Sequence, residues 1–357
     1  MIEVKNLVKK YGSHLAVDHL NFTVDTGQIY GFLGPNGAGK STTMNIMTGY
    51  LGATEGEVLI NGHNILEEPE AAKKCIGYLP EMPPLYTDMK VNEYLRFVAE
   101  LKKIPKPERQ EQIEKVMLMV KIMDVQDRLI KNLSKGYKQR VGLAQAILGF
   151  PEIIILDEPT SFLDIRHKLE LLAILKKMVL EKQMTVIMSL QELDLAQKIS
   201  DQVICVHGDH IEKYGAPEEI FTSDYIRRLY GITRGSYNAE FGCVEMEPPT
   251  GEPQVFVIGG NGSGIPVYRK LQRQGIPFAT GILHTNDADY QVAKELAAET
   301  ITEKPFQCIS EENYRKALEV MEKCREVYCP LKDFGPVNEK NRELIKKAEQ
   351  MGKLQKL

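Results

Sequence analysis

The sequence lacks a long hydrophobic run, an excess of basic charge and paired cysteines. The apolar run at residues 153–156 is followed at once by Asp157 and Glu158, and no other run approaches the length of a membrane span. The formal net charge of −4 does not favour nucleic-acid binding. The six cysteines form no C-x-x-C pair, which suits reduced thiols better than a disulfide framework. Residues 1–5 are charged and unlike a signal peptide. From these features together, we expect a cytoplasmic protein without nucleic-acid partners.

The composition does support packed cores, and the length suggests two domains. Hydrophobic residues make up 43% of the 357 residues. Short strand-like segments dominate residues 1–30, and a helical pattern covers about residues 91–150 before the apolar run. We predict an α/β domain over residues 1–221 with a helical insertion, a linker over 222–253 and a second domain over 254–357.

The strongest motif is the phosphate loop, residues 34–42, which contains G-x-x-x-x-G-K-S. It lies between an apolar strand at residues 29–33 and a helical segment, the setting that this motif requires. Glycines let successive backbone N–H groups point at phosphate oxygens at the positive end of a helix. Lys40 is expected to reach the β- and γ-phosphates of ATP, and Ser41 to bind Mg²⁺. The candidate nucleotide-binding residues of the loop are Gly34, Asn36, Gly37, Gly39, Lys40, Ser41 and Thr42.

Two acidic residues follow the apolar run and indicate chemistry at its end. The run reads as a buried parallel strand, where carboxylates are costly unless they face a cation or water. Asp157 is placed to hold Mg²⁺ and Glu158 to polarise an attacking water. Tyr11, in a polar turn upstream of the loop, has two open interpretations, an adenine-stacking ring or a surface tyrosine.

A second anion-binding end is indicated at Ser134 and Gly136, which open the apolar helix that continues to residue 148. Taken alone this signal is weak, because many helices begin with a serine cap.

With these three motifs in order, residues 1 to about 230 resemble the ATPase subunit of ATP-binding cassette transporters. The resemblance implies a P-loop NTPase cassette fold with an antiparallel β subdomain and a helical subdomain. It also implies a homodimer or pseudo-dimer that sandwiches two ATP molecules, in which Ser134 and Gly136 of one copy grip the γ-phosphate held by the other. Asp164 matches the loop that communicates across that dimer, and Tyr11 matches the aromatic that stacks on adenine.

The sequence departs from the family pattern at three places. Lys135-Gly136-Tyr137 stands where Gly-Gly-Gln is usual. Glu81 stands where a glutamine commonly contacts Mg²⁺ and the attacking water, and a carboxylate can also bind Mg²⁺. Gln191 stands where a histidine contacts the γ-phosphate; it can donate a hydrogen bond there but carries no charge. We expect slowed hydrolysis with Gln191 in a catalytic position, and binding of ATP without hydrolysis stays open.

The resemblance implies a peripheral ATPase on the inner face of the cell membrane. Transmembrane permease subunits would be separate chains that dock near residues 81–92. Residues up to about 165 look like the ATPases of exporters, whereas residues 189–196 look like those of iron-siderophore and cobalamin importers. Two alternatives stay open: a hydrolysis-impaired regulatory cassette, and a soluble cassette protein without a role in transport.

Alternating β and α patterns beyond residue 254 predict a small parallel, Rossmann-like sheet. The glycines at 260, 262 and 264 do not form a proper dinucleotide fingerprint. Their loop either binds a small ligand or phosphate, or only turns tightly between strand and helix. Similar tails on iron-chelate-type cassettes suggest a regulatory role. A metal site is not supported by the spacing of its four candidate ligands, His284, Cys308, Cys324 and Cys329.

Overall fold

The computed structural model describes residues 1–356. The chain forms two compact units, Met1–Phe221 and Thr222–Leu357. Each has its own sheet and its own buried core.

The first unit contains a six-stranded sheet and a four-stranded sheet. Its strands are β1 (Ile2–Tyr11), β2 (His14–Val24), β3 (Ile29–Leu33), β4 (Glu55–Ile60), β5 (His63–Asn64), β6 (Ile76–Leu79), β7 (Ile153–Leu156), β8 (Thr185–Ser189), β9 (Gln202–His207) and β10 (His210–Gly215). The larger sheet has the order β10-β9-β3-β8-β7-β6, in which only β10 is antiparallel to its neighbour. The smaller sheet, β2-β1-β4-β5, is antiparallel throughout.

The parallel strands of the larger sheet place the candidate site. Every residue of β3, β7 and β8 is buried, as expected for strands covered on both faces. Because the carboxyl ends of parallel strands meet at one edge, the segments that follow β3, β6, β7 and β8 converge there. Those segments carry the phosphate loop, Glu81, the pair Asp157 and Glu158, and Gln191.

Helices cover this sheet and form the predicted helical insertion. They are α1 (Lys40–Met47), α2 (Pro69–Lys74), α3 (Val91–Leu101), α4 (Lys106–Met119), α5 (Lys135–Ile147), α6 (Ile165–Lys182), α7 (Leu193–Ile199) and α8 (Pro217–Ile220). The insertion consists of α3, α4 and α5, which pack against one another. Short 3-10 turns at Met123–Val125 and Ile130–Asn132 connect α4 to α5. The mixed α/β fold predicted from the sequence is confirmed.

The second unit is built around a five-stranded parallel sheet. Its elements are α9 (Ser223–Leu229), β11 (Ser236–Asn238), β12 (Cys243–Glu245), β13 (Val255–Val257), α10 (Ile265–Gln274), β14 (Phe278–His284), α11 (Ala288–Leu296), β15 (Glu299–Glu303), α12 (Glu311–Lys323), β16 (Glu326–Tyr328), α13 (Glu339–Gln350) and β17 (Leu354–Gln355). The strand order β15-β14-β13-β16-β17, parallel throughout, is Rossmann-like, as predicted.

The segment at residues 222–253 differs from the linker that its composition indicated. It contains α9 and the antiparallel hairpin β11–β12, and the side chain of Tyr237 is buried. Helix α9 buries Tyr225, Ile226 and Leu229 on one side. The linker prediction rested on the Pro- and Gly-rich residues 247–253, which follow the apolar residues of α9 in the chain. Within residues 1–356, no helix combines the length and the apolar character that crossing a bilayer requires.

Candidate functional site

The phosphate loop curls between β3 and α1 through glycines with positive φ. Gly34, Gly37 and Gly39 have φ values of 150°, 82° and 83°. A Cβ atom on Gly39 would lie 2.5 Å from the carbonyl oxygen of Ala16, and one on Gly34 would lie 2.1 Å from that of Val206. Both the backbone conformation and the available space therefore require glycine at these two positions.

Lys40, the first residue of α1, places a buried positive charge under this loop. Only 7% of the residue is exposed. Its Nζ donates to the carbonyl oxygens of Gly34 at 2.7 Å and Pro35 at 3.0 Å. Burial lowers the pKa of Lys40, while the negative charges of Glu158 and Asp157 oppose that shift. The ammonium group is thus held by two hydrogen bonds to the loop and interacts electrostatically with two carboxylates.

Asp157 and Glu158 are fixed at the end of β7 by a serine from the neighbouring strand. Ser189 Oγ donates to Asp157 Oδ1 at 2.8 Å and accepts a hydrogen bond from the backbone N–H of Glu158 at 2.8 Å. Asp157 is buried, and Glu158 takes a left-handed φ of 46°. A non-glycine residue in this conformation is strained, which is frequent at functional sites.

The carboxylate of Glu158 accepts two further hydrogen bonds. Gln191 Nε2 donates to Glu158 Oε2 at 2.6 Å, and Ser161 Oγ donates to the same oxygen at 3.0 Å. Glu81 lies nearby, where burial and the negative charges of Glu158 and Asp157 all raise its pKa. The edge of the sheet therefore concentrates three carboxylates beside one lysine.

An open cavity of about 510 Å³ joins most of the predicted site residues. Tyr11 stands at its wall with the side chain 49% exposed. Lys40, Glu81 and Glu158 line the same cavity, whereas Asp157 lines a neighbouring one. The predicted residues that line the cavity are Tyr11, Asn36, Gly37, Gly39, Lys40, Ser41, Thr42, Glu81, Glu158 and Gln191.

Ser134, Gly136 and Asp164 do not line this cavity in the chain described by the structure. Ser134 caps α5, with its Oγ accepting from the backbone N–H of Tyr137 at 3.3 Å. Asp164 caps α6, with its Oδ1 accepting from the backbone N–H of His167 at 2.9 Å. Ser134 and Asp164 are exposed at two helix N-termini, and together with the buried Gly136 they form a second surface outside the cavity of their own phosphate loop.

Sequence reasoning missed residues that support or line the site. His14 and Ala16 line the cavity from β2. Ser189 and Ser161 hold the two acidic residues, as described above. The sequence did contain a signal for Ser189, because it is a polar residue at the end of β8, a buried strand that pairs with β7, which the acidic pair follows.

In the second unit, the glycine loop after β13 encloses a carboxylate of its own chain. Asp289, fully buried in α11, accepts from the backbone N–H groups of Gly260 at 2.5 Å, Gly264 at 2.9 Å and Ile265 at 3.2 Å. Burial raises the pKa of Asp289, and the N–H donors oppose that shift. Asp287 likewise accepts from the N–H of Asn261 at 2.8 Å. The structure favours the interpretation of this loop as a tight turn, because Asp287 and Asp289 already accept from four of its backbone N–H groups.

The four residues considered for a metal site each have other contacts or lie apart. His284 Nε2 is 2.8 Å from the carbonyl oxygen of Gln307, and the Cys324 and Cys329 thiols donate to backbone carbonyls. Cys308 is exposed. Within residues 1–356, no three or more His, Cys, Asp or Glu side chains form a group that could hold a metal ion.

Comparison with known proteins places this geometry in a family. Residues 17–161 match the family described as ABC transporter, and residues 278–355 match the MJ0874 family. The chain is 31% identical over 296 residues to the "Uncharacterized ABC transporter ATP-binding protein MJ0873" of Methanocaldococcus jannaschii, covering 79% of this chain and 100% of that protein. This chain belongs to the ABC transporter ATP-binding proteins. It is therefore an ATPase of the ATP-binding cassette type, as its motifs predicted.

Other relatives and solved structures that match this chain are also ATP-binding cassettes. The petrobactin import ATP-binding protein YclP of Bacillus subtilis is 30% identical, with 65% of this chain and 94% of that protein covered. The solved structure of cbiO1 from Clostridium perfringens matches with a TM-score of 0.58 and 26% identity, over 64% of this chain and 92% of that one. A dimeric post-hydrolysis structure of the cassette MJ0796, bound to ADP and Pi, matches with a TM-score of 0.56 and 25% identity, over 61% and 99%.

Proposed function

We propose that this chain is the ATP-binding and ATP-hydrolysing subunit of a transporter, and that two copies close around two ATP molecules. The observation that carries this proposal is the separation of the two anion-binding surfaces. Most of the phosphate loop, Glu81 and Glu158 line one cavity, whereas Ser134, Gly136 and Asp164 do not line it. A head-to-tail pair of chains would bring the second surface of each copy to the nucleotide of the other.

The donors at the edge of the sheet fit Mg²⁺. Asp157, Glu81 and the Ser41 hydroxyl supply the oxygen ligands that this ion prefers. Burial first, and then the negative charges of Glu158 and Asp157, raise the pKa of Glu81, and a divalent cation would neutralise the charge of these carboxylates. These residues would hold the ion, which would offset negative charge on the β- and γ-phosphates.

The remaining roles follow from the positions of the side chains. Tyr11 offers an exposed ring for adenine, and the loop N–H groups bind phosphate oxygens at the start of α1. Lys40 supplies a fixed positive charge that stabilises the transferred phosphoryl group. Glu158, held by Ser161 and Gln191, orients and polarises the attacking water.

The partner proteins would be transmembrane permease subunits in separate chains, with this subunit held on the cytoplasmic side of the membrane. A cavity of about 550 Å³ lies beside the expected docking segment at residues 81–92, and Met82 and Pro84 line it. Large apolar side chains are exposed here, with Met82 78% and Tyr86 57% exposed. Such a patch is typical of an interaction surface.

We assign a regulatory role to the domain at residues 254–357, together with the preceding hairpin.

The test is Mg²⁺-dependent ATP hydrolysis by the purified protein over a range of protein concentrations. We expect the rate to rise more steeply than linearly with protein concentration, because the active form is a pair. Glu158→Gln should abolish turnover while ATP still binds. A rate per chain that is independent of concentration, or an active Glu158→Gln protein, would contradict the proposal.

A second candidate function is a cassette that binds ATP and hydrolyses it poorly. The 2.6 Å hydrogen bond from Gln191 to Glu158 favours it, because this contact occupies an oxygen of the proposed base with a neutral donor. If the parent protein binds ATP but is silent and Gln191→His restores hydrolysis, the chain acts by binding alone. Its output would then lie in the second unit or in a partner.

A further inference from the structure

His167 lies directly against the backbone at the start of α5. A Cβ atom on Gly136 would be 2.7 Å from Cδ2 of His167, 2.8 Å from Cγ and 3.1 Å from Nε2. Real Cβ atoms essentially never come within 3.0 Å of other atoms, as the first two distances would require, so the glycine makes room for the ring. The imidazole therefore belongs to the same surface as Ser134 and Gly136, although it comes from α6.

Asp164 fixes the orientation of this ring. His167 Nδ1 lies 2.8 Å from both carboxylate oxygens of Asp164, and the backbone N–H of His167 donates to Oδ1. Since a carboxylate is only an acceptor, Nδ1 carries a hydrogen. Within residues 1–356, Nε2 of His167 makes no hydrogen bond, and the side chain is 23% exposed. One nitrogen is held and the other remains available.

The surroundings suit a negatively charged partner for Nε2. The first turn of α5 contains no acidic residue, and its N-terminus carries the positive end of the helix dipole. A ring that donates both to Asp164 and to a phosphate oxygen carries N–H on both nitrogens, so the contact would require the uptake of one proton from solvent as the phosphate arrives. At the position beside Glu158 where the family carries a histidine, each copy has the neutral Gln191.

We propose that His167 contacts the terminal phosphate of the ATP held by a second copy, with Nε2–H as the donor and Asp164 as the group that positions it. This inference rests on the proposed function, since it needs the paired cassettes. Gln191 cannot supply a positively charged contact with this phosphate. In the proposal, His167 of the second copy supplies it from the opposite side of the nucleotide.

The test uses the full chain with Glu158→Gln, which keeps ATP intact while dimers form. The ATP concentration that gives half-maximal dimer is measured by sedimentation velocity for His167→Ala, His167→Gln and Arg166→Ala. Arg166 is the matched control, because it is a cation in the same turn but its side chain is 80% exposed and pairs with Glu170. Binding of fluorescent ADP to the monomer checks that each variant is folded.

We expect His167→Ala to raise the half-maximal ATP concentration about tenfold or more, as the loss of a charge-assisted hydrogen bond would. His167→Gln, which keeps a donor without charge, should lie between alanine and the parent, and Arg166→Ala should match the parent. Binding of ADP to the monomer should not change, because His167 does not line its own cavity.

Two results distinguish a failure of the His167 contact from a failure of the proposed pairing of two cassettes. If the Glu158→Gln parent dimerises with ATP and His167→Ala does so at the same concentration, or if Arg166→Ala weakens dimerisation equally, the contact is refuted. If the parent stays monomeric at saturating ATP, the paired cassette and the contact fall together.

Discussion

Asp289 gives the sharpest stability prediction, because a buried carboxylate holds the whole glycine loop of the second unit. In Asp289→Ala, the N–H groups of Gly260, Gly264 and Ile265 lose their acceptor. The first two bonds are buried, and each unsatisfied buried donor costs about 1–3 kcal/mol. We therefore expect the free energy of unfolding of this unit to fall by about 4 kcal/mol in Asp289→Ala, summing two such losses.

Asp289→Asn is the matched variant, because it keeps the shape and one acceptor oxygen but loses the charge. Its expected loss is about 2 kcal/mol, since hydrogen bonds to a charged group are stronger than those to a neutral one. Calorimetry of the full chain measures the unfolding of each unit. Hydrogen–deuterium exchange followed by mass spectrometry shows whether residues 258–266 open locally.

A loss below about 1 kcal/mol in Asp289→Ala, with unchanged exchange at residues 258–266, would refute the reasoning. It would mean that the loop does not depend on this carboxylate. The interpretation of the loop as a ligand-binding turn would then return.

Three further predictions concern single side chains. Gln191→His should raise the turnover number for ATP, because a histidine can place positive charge beside the γ-phosphate; steady-state hydrolysis checks this, and an unchanged or lower rate contradicts it. Ser189→Ala should destabilise the first unit by about 2 kcal/mol and lower turnover, because Asp157 and the N–H of Glu158 both lose a buried partner; calorimetry and hydrolysis assays measure the two effects. The pKa of Glu303 is lowered to about 2, because hydrogen bonds from the backbone N–H groups of Ser310 and Lys304 and from the side chain of Asn313 outweigh the effect of burial. The ionised carboxylate therefore stabilises the fold fully above its unfolded pKa of 4.5, and this stabilisation is lost as the pH falls from 4.5 towards 2. Unfolding free energies should therefore show about 3 kcal/mol more acid sensitivity between those pH values in the parent than in Glu303→Gln.

The fold and the cavity of the candidate site could be predicted because their signals are local. The phosphate loop, the acidic pair after β7 and Glu81 after β6 each follow a strand, and parallel pairing then brings them to one edge. The apolar runs identified the buried strands without any knowledge of their order in the sheet.

The contacts that sequence reasoning missed join residues far apart in the chain. Asp289 meets Gly264 across 25 positions, and Ser189 meets Asp157 across 32. Nothing in the local pattern around Gly264 indicates that a later carboxylate accepts hydrogen bonds from its backbone N–H. The packing of His167 against Gly136 likewise depends on how α5 and α6 meet.

The central claim is that a working nucleotide site takes its phosphate loop from one copy and its Ser134 surface from another. Lys40→Ala disables the loop, and Ser134→Arg disables the second surface, so each variant alone should be inactive. When the two are mixed, a mixed pair contains one site with both defects and one site with none. We predict that ATP hydrolysis returns in the mixture while neither variant hydrolyses ATP by itself. A mixture as silent as its components, measured under conditions in which mixed pairs form, would contradict the account.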